Sequence, residues 1–195
     1  MIPTDSHPLA DMGDCDTNQS GAAFFLGGSF SGVNQPAGCD PDVDCTGDQR
    51  IATRDCTIPA GKAIFLPIAN WAWNNIGEDP PATPEYMDTF VDSWNSAAQN
   101  MVVEIDGVEL GNIENYRVHT QVFEHPFLAA GPINFGGVTE DGWTDAVSDG
   151  YWVFLSPPSP GTHTIHFTSE FNFTTAGQGF DWLTELDFTY NITVE

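Results

Sequence analysis

The sequence predicts an all-β protein: an antiparallel β-sandwich, jelly-roll-like in topology, with one α-helix and a disulfide-bonded N-terminal loop region. Three features predict this fold class. Short apolar segments alternate with polar residues at the period of a strand, 19 Gly and 14 Pro supply turns between them, and a single segment has the period of a helix. No repeat or linker divides the chain, so we expect a single domain over residues 1–195.

The N-terminal part, 1–60, is predicted to hold disulfide-stapled acidic loops and the first strand. An apolar run at 22–26 with glycines on both sides predicts that short, buried strand. A second core strand is expected at 63–68, because this apolar run follows a Pro-Ala-Gly turn.

The segment 84–100 is the one predicted helix. Thr83 suits the N-cap and Pro84 suits the first helical position. Apolar residues recur at every fourth position, and Trp94 is expected in the core; the four residues are Tyr86, Phe90, Trp94 and Ala98.

The main strands are predicted in 101–195. Asp106-Gly107 is a strong hairpin signal between strands at 101–105 and 108–110. Further strands are expected at 116–123, 150–155, 162–168 and 185–194. In the last of these, alternate side chains are predicted to point inward: Leu186, Phe188, Tyr190, Ile192 and Val194.

Acidic residues dominate the charge of the chain. It has 28 Asp and Glu against four Lys and Arg, for a formal net charge of -24. Such a polyanion repels nucleic acid and anionic lipid, and no apolar run approaches the ~18 residues of a membrane span. We therefore expect no nucleic acid partner and no membrane span. The acidity favours either calcium sites or the halophilic surface of a protein from a saline habitat.

All four cysteines lie in the first third of the chain: Cys15, Cys39, Cys45 and Cys56. An even number in Gly- and Asp-rich loops predicts two disulfides in an exported protein. Three pairings are possible, of which the nested one joins Cys15 to Cys56 around Cys39 to Cys45. Zinc is the alternative, and the absence of a common CxxC pair disfavours it. The first residues lack the pattern of a signal peptide, so we expect either a cytosolic protein or a trimmed one. The cysteines favour trimming and a secreted or cell-surface location.

Several segments resemble a family of small exported bacterial and archaeal proteins. They are DSHPLAD at 5–11, NQSG at 18–21 with FFL at 24–26, CTIPAGKAIFLP at 56–67, YRV at 116–118, SDGYW at 148–152 and SPGTHTIHF at 159–167. The resemblance spans most of the chain. It implies export and a disulfide between Cys15 and Cys56, and it implies no particular reaction. Members of that family carry a signal peptide and a Trp-rich segment ahead of the His-Pro-Leu motif, so this chain looks trimmed or alternatively started.

A calcium loop is predicted at 40–48. Carboxylates at alternate positions, followed by a glycine, are typical of Ca²⁺ loops, and the candidate ligands are Asp40, Asp42, Asp44 and Asp48. The loop is not an EF-hand, because Ile51 occupies the twelfth position, where a bidentate Glu is needed. The alternative is a solvated acidic loop that binds no metal.

The candidate catalytic group is a polar strand face formed by Arg117, His119 and Gln121, with Glu124 just beyond it. Arg117 could hold a carboxylate while His119 transfers a proton, a grouping similar to that of jelly-roll polysaccharide lyases and related hydrolases. The competing interpretation is a structural ion pair between Arg117 and an acidic residue. With so many acids in the chain, the ion pair is favoured.

Aromatic and histidine residues supply the remaining candidates. Four tryptophans lie among small polar residues, where an exposed ring can stack on a sugar, and they are the candidate ligand-binding residues: Trp71, Trp73, Trp143 and Trp152. Most of them are expected to be core residues instead. His163 and His166 are predicted to face opposite sides of one strand, His163 as a hydrogen-bonded core residue and His166 as an exposed one.

The sequence contains no catalytic triad pattern, HExxH motif or phosphate loop. The leading prediction is a secreted β-sandwich that binds a glycan or a second copy of itself, with calcium stabilising its loops. The alternative is a carbohydrate-active hydrolase or lyase that uses the polar face around Arg117 and His119.

Overall fold

The computed structural model describes residues 15–17, 19–27, 47–76, 80–127, 139–174 and 182–195, with 47–49 as backbone only. The elements in chain order are β1 (Ala23–Phe25), β2 (Gly47–Ile58), β3 (Ala63–Asn74), α1 (Pro84–Asn95), β4 (Ala98–Ile105), β5 (Val108–Glu109), a 3-10 helix (Ile113–Tyr116), β6 (Arg117–His119), β7 (Phe123–Phe127), β8 (Gly142–Leu155), β9 (Gly161–Asn172) and β10 (Leu183–Val194). The protein is therefore mostly β, as predicted. In the described part of the chain, no helix is long and apolar enough to cross a membrane.

The strands form two sheets. Sheet I has the order β1-β3-β8-β6, with β7 also paired to β8, and sheet II has the order β2-β10-β9-β4-β5. Most neighbours are antiparallel, but β1 pairs with β3 in parallel and β2 pairs with β10 in parallel. The predicted antiparallel pairing therefore holds for most neighbouring strands, and these two pairs are exceptions to it. Alternation along a strand reports which face is buried and carries no information about the direction of the neighbouring strand.

Both sheets contribute to one hydrophobic core. Leu66 and Ile68 of β3 are buried together with Phe167 of β9 and Phe188 of β10. Ser169 Oγ of β9 also donates a hydrogen bond of 2.9 Å to the carbonyl of Ile68. Each large apolar side chain that is fully buried contributes about 1.5–3 kcal/mol, so this shared core holds the two sheets together.

Two of the predicted strand features are confirmed. In β10, Phe188, Tyr190, Ile192 and Val194 are all buried, as the alternation requires. Asp106 and Gly107 have φ values of 52° and 75°, the left-handed pair of a type I′ hairpin between β4 and β5.

Helix α1 begins where predicted and ends earlier. Thr83 caps it by accepting a hydrogen bond of 3.2 Å from the Tyr86 backbone N–H. The helix stops at Asn95 instead of 100, because Ser96 Oγ bonds to a carbonyl of the last turn and 98–105 pair with β9 as strand β4. Its fully buried stripe comprises Met87, Val91 and Asn95. Tyr86 is 53% exposed.

The segment 116–123 is two short strands and part of a 3-10 helix instead of one strand. Arg117 is half-buried, whereas Val118 is 52% exposed. The polar face of β6 therefore turns inward under α1, and the apolar face turns outward.

Strand β2 was not predicted. Its inward positions are Ala52, Arg54, Cys56 and Ile58, so a buried arginine interrupts the apolar alternation that would reveal a strand.

A disulfide joins Cys15 to Cys56 of β2, with their Cα atoms 5.8 Å apart. Both cysteines are buried, and the pairing is the one that the family resemblance implied. Cys39 and Cys45 lie outside the described residues.

Candidate functional site

A cluster of charged side chains lies between helix α1 and sheet I. We call it the Asp149 cluster; it contains Asp88 and Asp92 of α1, Arg117 and His119 of β6, and Asp149 of β8. Arg117 donates to the Asp149 carboxylate from Nε at 3.0 Å and from Nη2 at 2.6 Å. Arg117 Nη2 also lies 2.9 Å from Asp92 Oδ1. One guanidinium thus joins the sheet to the helix.

Asp149 is the buried centre of this cluster. Its side chain is 0% exposed, and it also receives a hydrogen bond of 3.3 Å from Asn95 Nδ2. Burial by itself raises the pKa of a carboxyl, but the hydrogen bonds and charges of Arg117 and His119 outweigh it and hold the pKa of Asp149 below its ordinary value. The same contact raises the pKa of Arg117. Asp149 is therefore an ionised acid with its charge compensated.

His119 bridges two carboxylates. Its Nδ1 lies 3.2 Å from Asp149 Oδ2 and its Nε2 lies 2.6 Å from Asp88 Oδ1. Burial disfavours the charged ring, but the hydrogen bonds to both acids prevail and raise the pKa of His119.

His166 of β9, in sheet II, also bridges two carboxylates. His166 Nε2 lies 2.9 Å from Asp187 Oδ1 and its Nδ1 lies 3.2 Å from Glu104 Oε2, so it connects three neighbouring strands. These hydrogen bonds overcome the opposing effect of burial and raise its pKa. The hydrogen bond of His163 to Asp106 raises the pKa of His163 as well. His163 is hydrogen-bonded as predicted, and its side chain is 17% exposed beside Asp106 of the turn between β4 and β5.

The Asp149 cluster has the donor types of a metal site. Ligand atoms of Asp92, His119 and Asp149 lie within 4.8 Å of one another. Arg117 already lies between the two carboxylates and bonds to both, so a metal ion would have to displace its guanidinium. The geometry therefore favours an ion-pair network that fastens α1 to sheet I.

The other two residues of the predicted catalytic group lie apart from this network. Gln121 is in the connection between β6 and β7, and Glu124 is in β7 opposite Asp145. Both are exposed, and no hydrogen bond of the described residues joins either one to Arg117 or His119.

The four predicted ligand-binding tryptophans lie in three different places. Trp71 and Trp73 pack on the inward side of sheet I, with ring centroids 4.7 Å from Trp94 and 4.3 Å from Phe90 respectively. Trp143 is 68% exposed at the start of β8. Trp152 lies on the outward side of sheet I and stacks on Phe65, with centroids 5.3 Å apart.

Phe65 is the middle of a row of aromatic rings that sequence reasoning missed. The register places Phe25 of β1, Phe65 of β3 and Phe154 of β8 directly opposite one another. Phe65 lies 5.5 Å from Phe25 and 6.3 Å from Phe154, measured between ring centroids. With Trp152, these residues form what we call the aromatic row. Three neighbouring strands span about 10 Å, so the row is long enough for more than one small ring to lie across it.

The aromatic row faces solvent. Side chains alternate along a strand, and the neighbours Phe24, Ile64 and Val153 point into the core and are buried. Phe25 and Phe154 are 52% and 62% exposed. Continuous apolar runs, which place large apolar residues on both faces of each strand, are the sequence signal that could have revealed this surface.

The outward face around the row carries no charge. Among the described residues of β1, β3, β6 and β8, the outward positions hold no Asp, Glu, Lys or Arg; around the row they are Pro67, Asn70, Ala72, Val118, Ser148 and Gly150. Gly150 leaves room for Trp152, whose Nε1 lies 2.9 Å from the place that a Cβ on Gly150 would occupy. In a chain with 28 acidic residues, an uncharged face of this extent is a distinct surface.

The outward face of sheet II has the opposite character. It holds a depression of about 290 Å³ lined in part by Glu170, Glu185 and Asp187. Its acidity matches the composition of the chain, so the two sheets present surfaces of different chemistry.

Most of the predicted calcium loop at 40–48 lies outside the described residues. The candidate ligands Asp40, Asp42 and Asp44 lie outside the described residues, and Asp48 is described only as backbone at the start of β2.

No family model, curated protein or solved structure matches the chain.

Proposed function

We propose that this protein is a secreted β-sandwich of jelly-roll type that binds a glycan through the aromatic row. The observation that carries the proposal is the exposure of Phe25 and Phe154 in register with Phe65, on a face without charge. The buried Cys15–Cys56 disulfide supports secretion, because disulfides persist in oxidising compartments.

Aromatic rings on a sheet suit a sugar ligand. A pyranose ring presents C–H groups on its faces and hydroxyl groups around its edge, so it needs apolar surface beside neutral hydrogen-bonding groups. Phe65 and Trp152 support each other by stacking, and Phe25 and Phe154 flank them. Aromatic side chains have few rotatable bonds and lose little entropy when a ligand covers them.

The test is retention of the purified protein on insoluble polysaccharides: cellulose, chitin, mannan and xylan. Phe154→Ala is expected to lower affinity at least tenfold for any polysaccharide that retains the wild type, which corresponds to about 1.4 kcal/mol. Trp143→Ala is the matched control, because Trp143 is equally exposed and lies on the opposite side of β8. Equal losses in the two variants, or no retention of the wild type, would contradict the proposal.

A second copy of the chain is the other ligand that an apolar face could accept. Sedimentation of the wild type at increasing protein concentration distinguishes the two. Dimers that dissociate in Phe154→Ala and that exclude glycan would replace the glycan proposal with self-association.

A carbohydrate-active hydrolase or lyase remains the second candidate function. The observation that favours it is the chain of contacts from Asp149 through His119 to Asp88, which holds a titratable ring at the edge of the sheet. Release of reducing ends from a polysaccharide, abolished in His119→Gln with the fold intact, would establish it.

We also propose that the acidic loop at 40–48 binds calcium. Asp40, Asp42, Asp44 and Asp48 are the proposed ligands, and their support is the spacing of the carboxylates alone.

A further inference from the structure

The aromatic row lies on a face whose described residues carry no charge. We infer that its ligand is an uncharged glycan, lying across the strands of sheet I, and that anionic glycans are rejected. The inference rests on the proposed function and adds the chemical class of the ligand and its direction.

The first argument is the location of the positive charges. Arg117 lies on the inward side of sheet I, paired with Asp149 and Asp92. Arg54 is buried, with Nη1 3.4 Å from the carbonyl of Gly27. Arg50 belongs to β2 in sheet II, and Lys62 lies in the turn before β3. None of the four basic side chains of the protein stands among the outward positions of β3 and β8.

A uronate or a sulfate ester needs such a side chain. Carboxylates and sulfates are recognised through charge-assisted hydrogen bonds, above all from arginine. Among the described residues of this face, the anion would meet only uncharged groups: aromatic rings, aliphatic side chains, amides and hydroxyls. It would also approach a protein with a net charge of -24, whose field repels it over about a Debye length.

The polar groups that do border the row suit a neutral sugar. Asn70 of β3 is exposed and lies opposite Gly150 of β8, one row of residues beyond Trp152. Its amide can donate to one hydroxyl and accept from another. Neutral donors and acceptors beside apolar rings match an uncharged saccharide and no charged one.

The direction of the ligand follows from the register. Phe25, Phe65 and Phe154 lie on three neighbouring strands at one level, so the rings follow one another across the strands and not along them. A linear glycan that contacts all three must cross β1, β3 and β8 at a steep angle. Trp152 then contacts its flank, because Trp152 is two residues from Phe154 on the same strand.

Titration calorimetry with soluble hexasaccharides tests both parts. The probes are cellohexaose, mannohexaose, xylohexaose and chitohexaose as neutral ligands, and the hexamers of galacturonate and of mannuronate as anionic ones. At low salt, at least one neutral hexamer is expected to bind at least tenfold more tightly than either anionic one. Its affinity should stay within twofold when NaCl is raised, because no ion pair forms.

The possible results of these experiments distinguish a failure of the uncharged-ligand inference from a failure of glycan binding itself. If an anionic hexamer binds as tightly as the best neutral one, and Lys62→Gln weakens that binding, the ligand is not restricted to uncharged glycans. The proposal that the protein binds a glycan would still hold. If Phe25→Ala and Phe154→Ala fail to weaken binding equally within a factor of about three, the direction across the strands is wrong. Binding of no hexamer, together with no retention on any insoluble polysaccharide, would remove the proposed function itself.

Discussion

Replacing Asp149 with alanine tests whether the Asp149 cluster holds helix α1 against sheet I. The Asp149 side chain is 0% exposed, and Arg117 donates to it from Nε at 3.0 Å and from Nη2 at 2.6 Å. The substitution leaves a guanidinium that is 30% exposed without its buried partner. Breaking a buried ion pair on one side costs about 3–5 kcal/mol. For a chain of this size, that loss lowers Tm by roughly 6–20 °C.

Equilibrium unfolding in urea measures the change in the free energy of unfolding. Asp92→Ala is the matched control, because Asp92 contacts the same guanidinium at 2.9 Å but is 63% exposed, and exposed pairs contribute about 0–1 kcal/mol. Adding Arg117→Met to Asp149→Ala should cost less than the sum of the single changes, since the two residues form one network. An Asp149→Ala variant as stable as Asp92→Ala would refute the reasoning.

Three further predictions concern stability. The pKa of His166 in the folded protein is raised above its ordinary value of 6.5, so the stability that protonated His166 contributes is complete below pH 6.5 and is lost as the pH rises through the folded-state pKa. His166→Gln should therefore destabilise the protein most below about pH 6.5. A difference in unfolding free energy between variant and wild type that does not change with pH, measured in urea, would contradict this. The disulfide joins residues 41 apart, so replacing both Cys15 and Cys56 with Ser should lower the free energy of unfolding by about 4 kcal/mol, and a loss below about 1 kcal/mol would show that the bridge constrains little. Excess CaCl₂ should raise Tm relative to EDTA by the equivalent of about 3 kcal/mol at a hundredfold excess over Kd; an equal rise with NaCl alone would contradict calcium binding at Asp40, Asp42 and Asp44.

The parts of the fold that the sequence predicts are those in which burial alternates simply. Phe188, Tyr190 and Ile192 recur at the strand period and are buried on one side of β10. The hairpin at Asp106 is predictable for a local reason, because the left-handed conformation favours Asp and Gly at those two positions. Both patterns depend on a few consecutive residues, so they predict the structure correctly even when the neighbouring strands are not known.

The features that could not be predicted depend on partners distant in the sequence. Arg54 occupies an inward position of β2. Because arginine is usually exposed, an arginine in a short segment predicts a solvent-facing position and hides the strand. The parallel pairing of β2 with β10 joins segments more than a hundred residues apart, and no local pattern records it. The early end of α1 reflects pairing of the next residues with β9, which overrides helical periodicity.

The candidate site also has one part that the sequence predicts and one part that it does not. Arg117 and His119 are recognisable as a polar face of a strand, and the structural ion pair favoured for Arg117 is the arrangement that the structure shows with Asp149. The aromatic row is different, because Phe25 and Phe154 become neighbours of Phe65 only through the register of three strands. In the sequence, each of them resembles an ordinary core residue.

The most direct test of the central claim is a map of the residues that a glycan contacts. The measurement is a two-dimensional NMR titration of the labelled protein with the neutral hexasaccharide that binds most tightly. The proposal predicts that the largest shifts fall on Phe25, Phe65, Phe154 and the indole N–H of Trp152, while the acidic face of sheet II is unchanged. Shifts that cluster on sheet II, or around Trp143, would contradict a glycan site at the aromatic row.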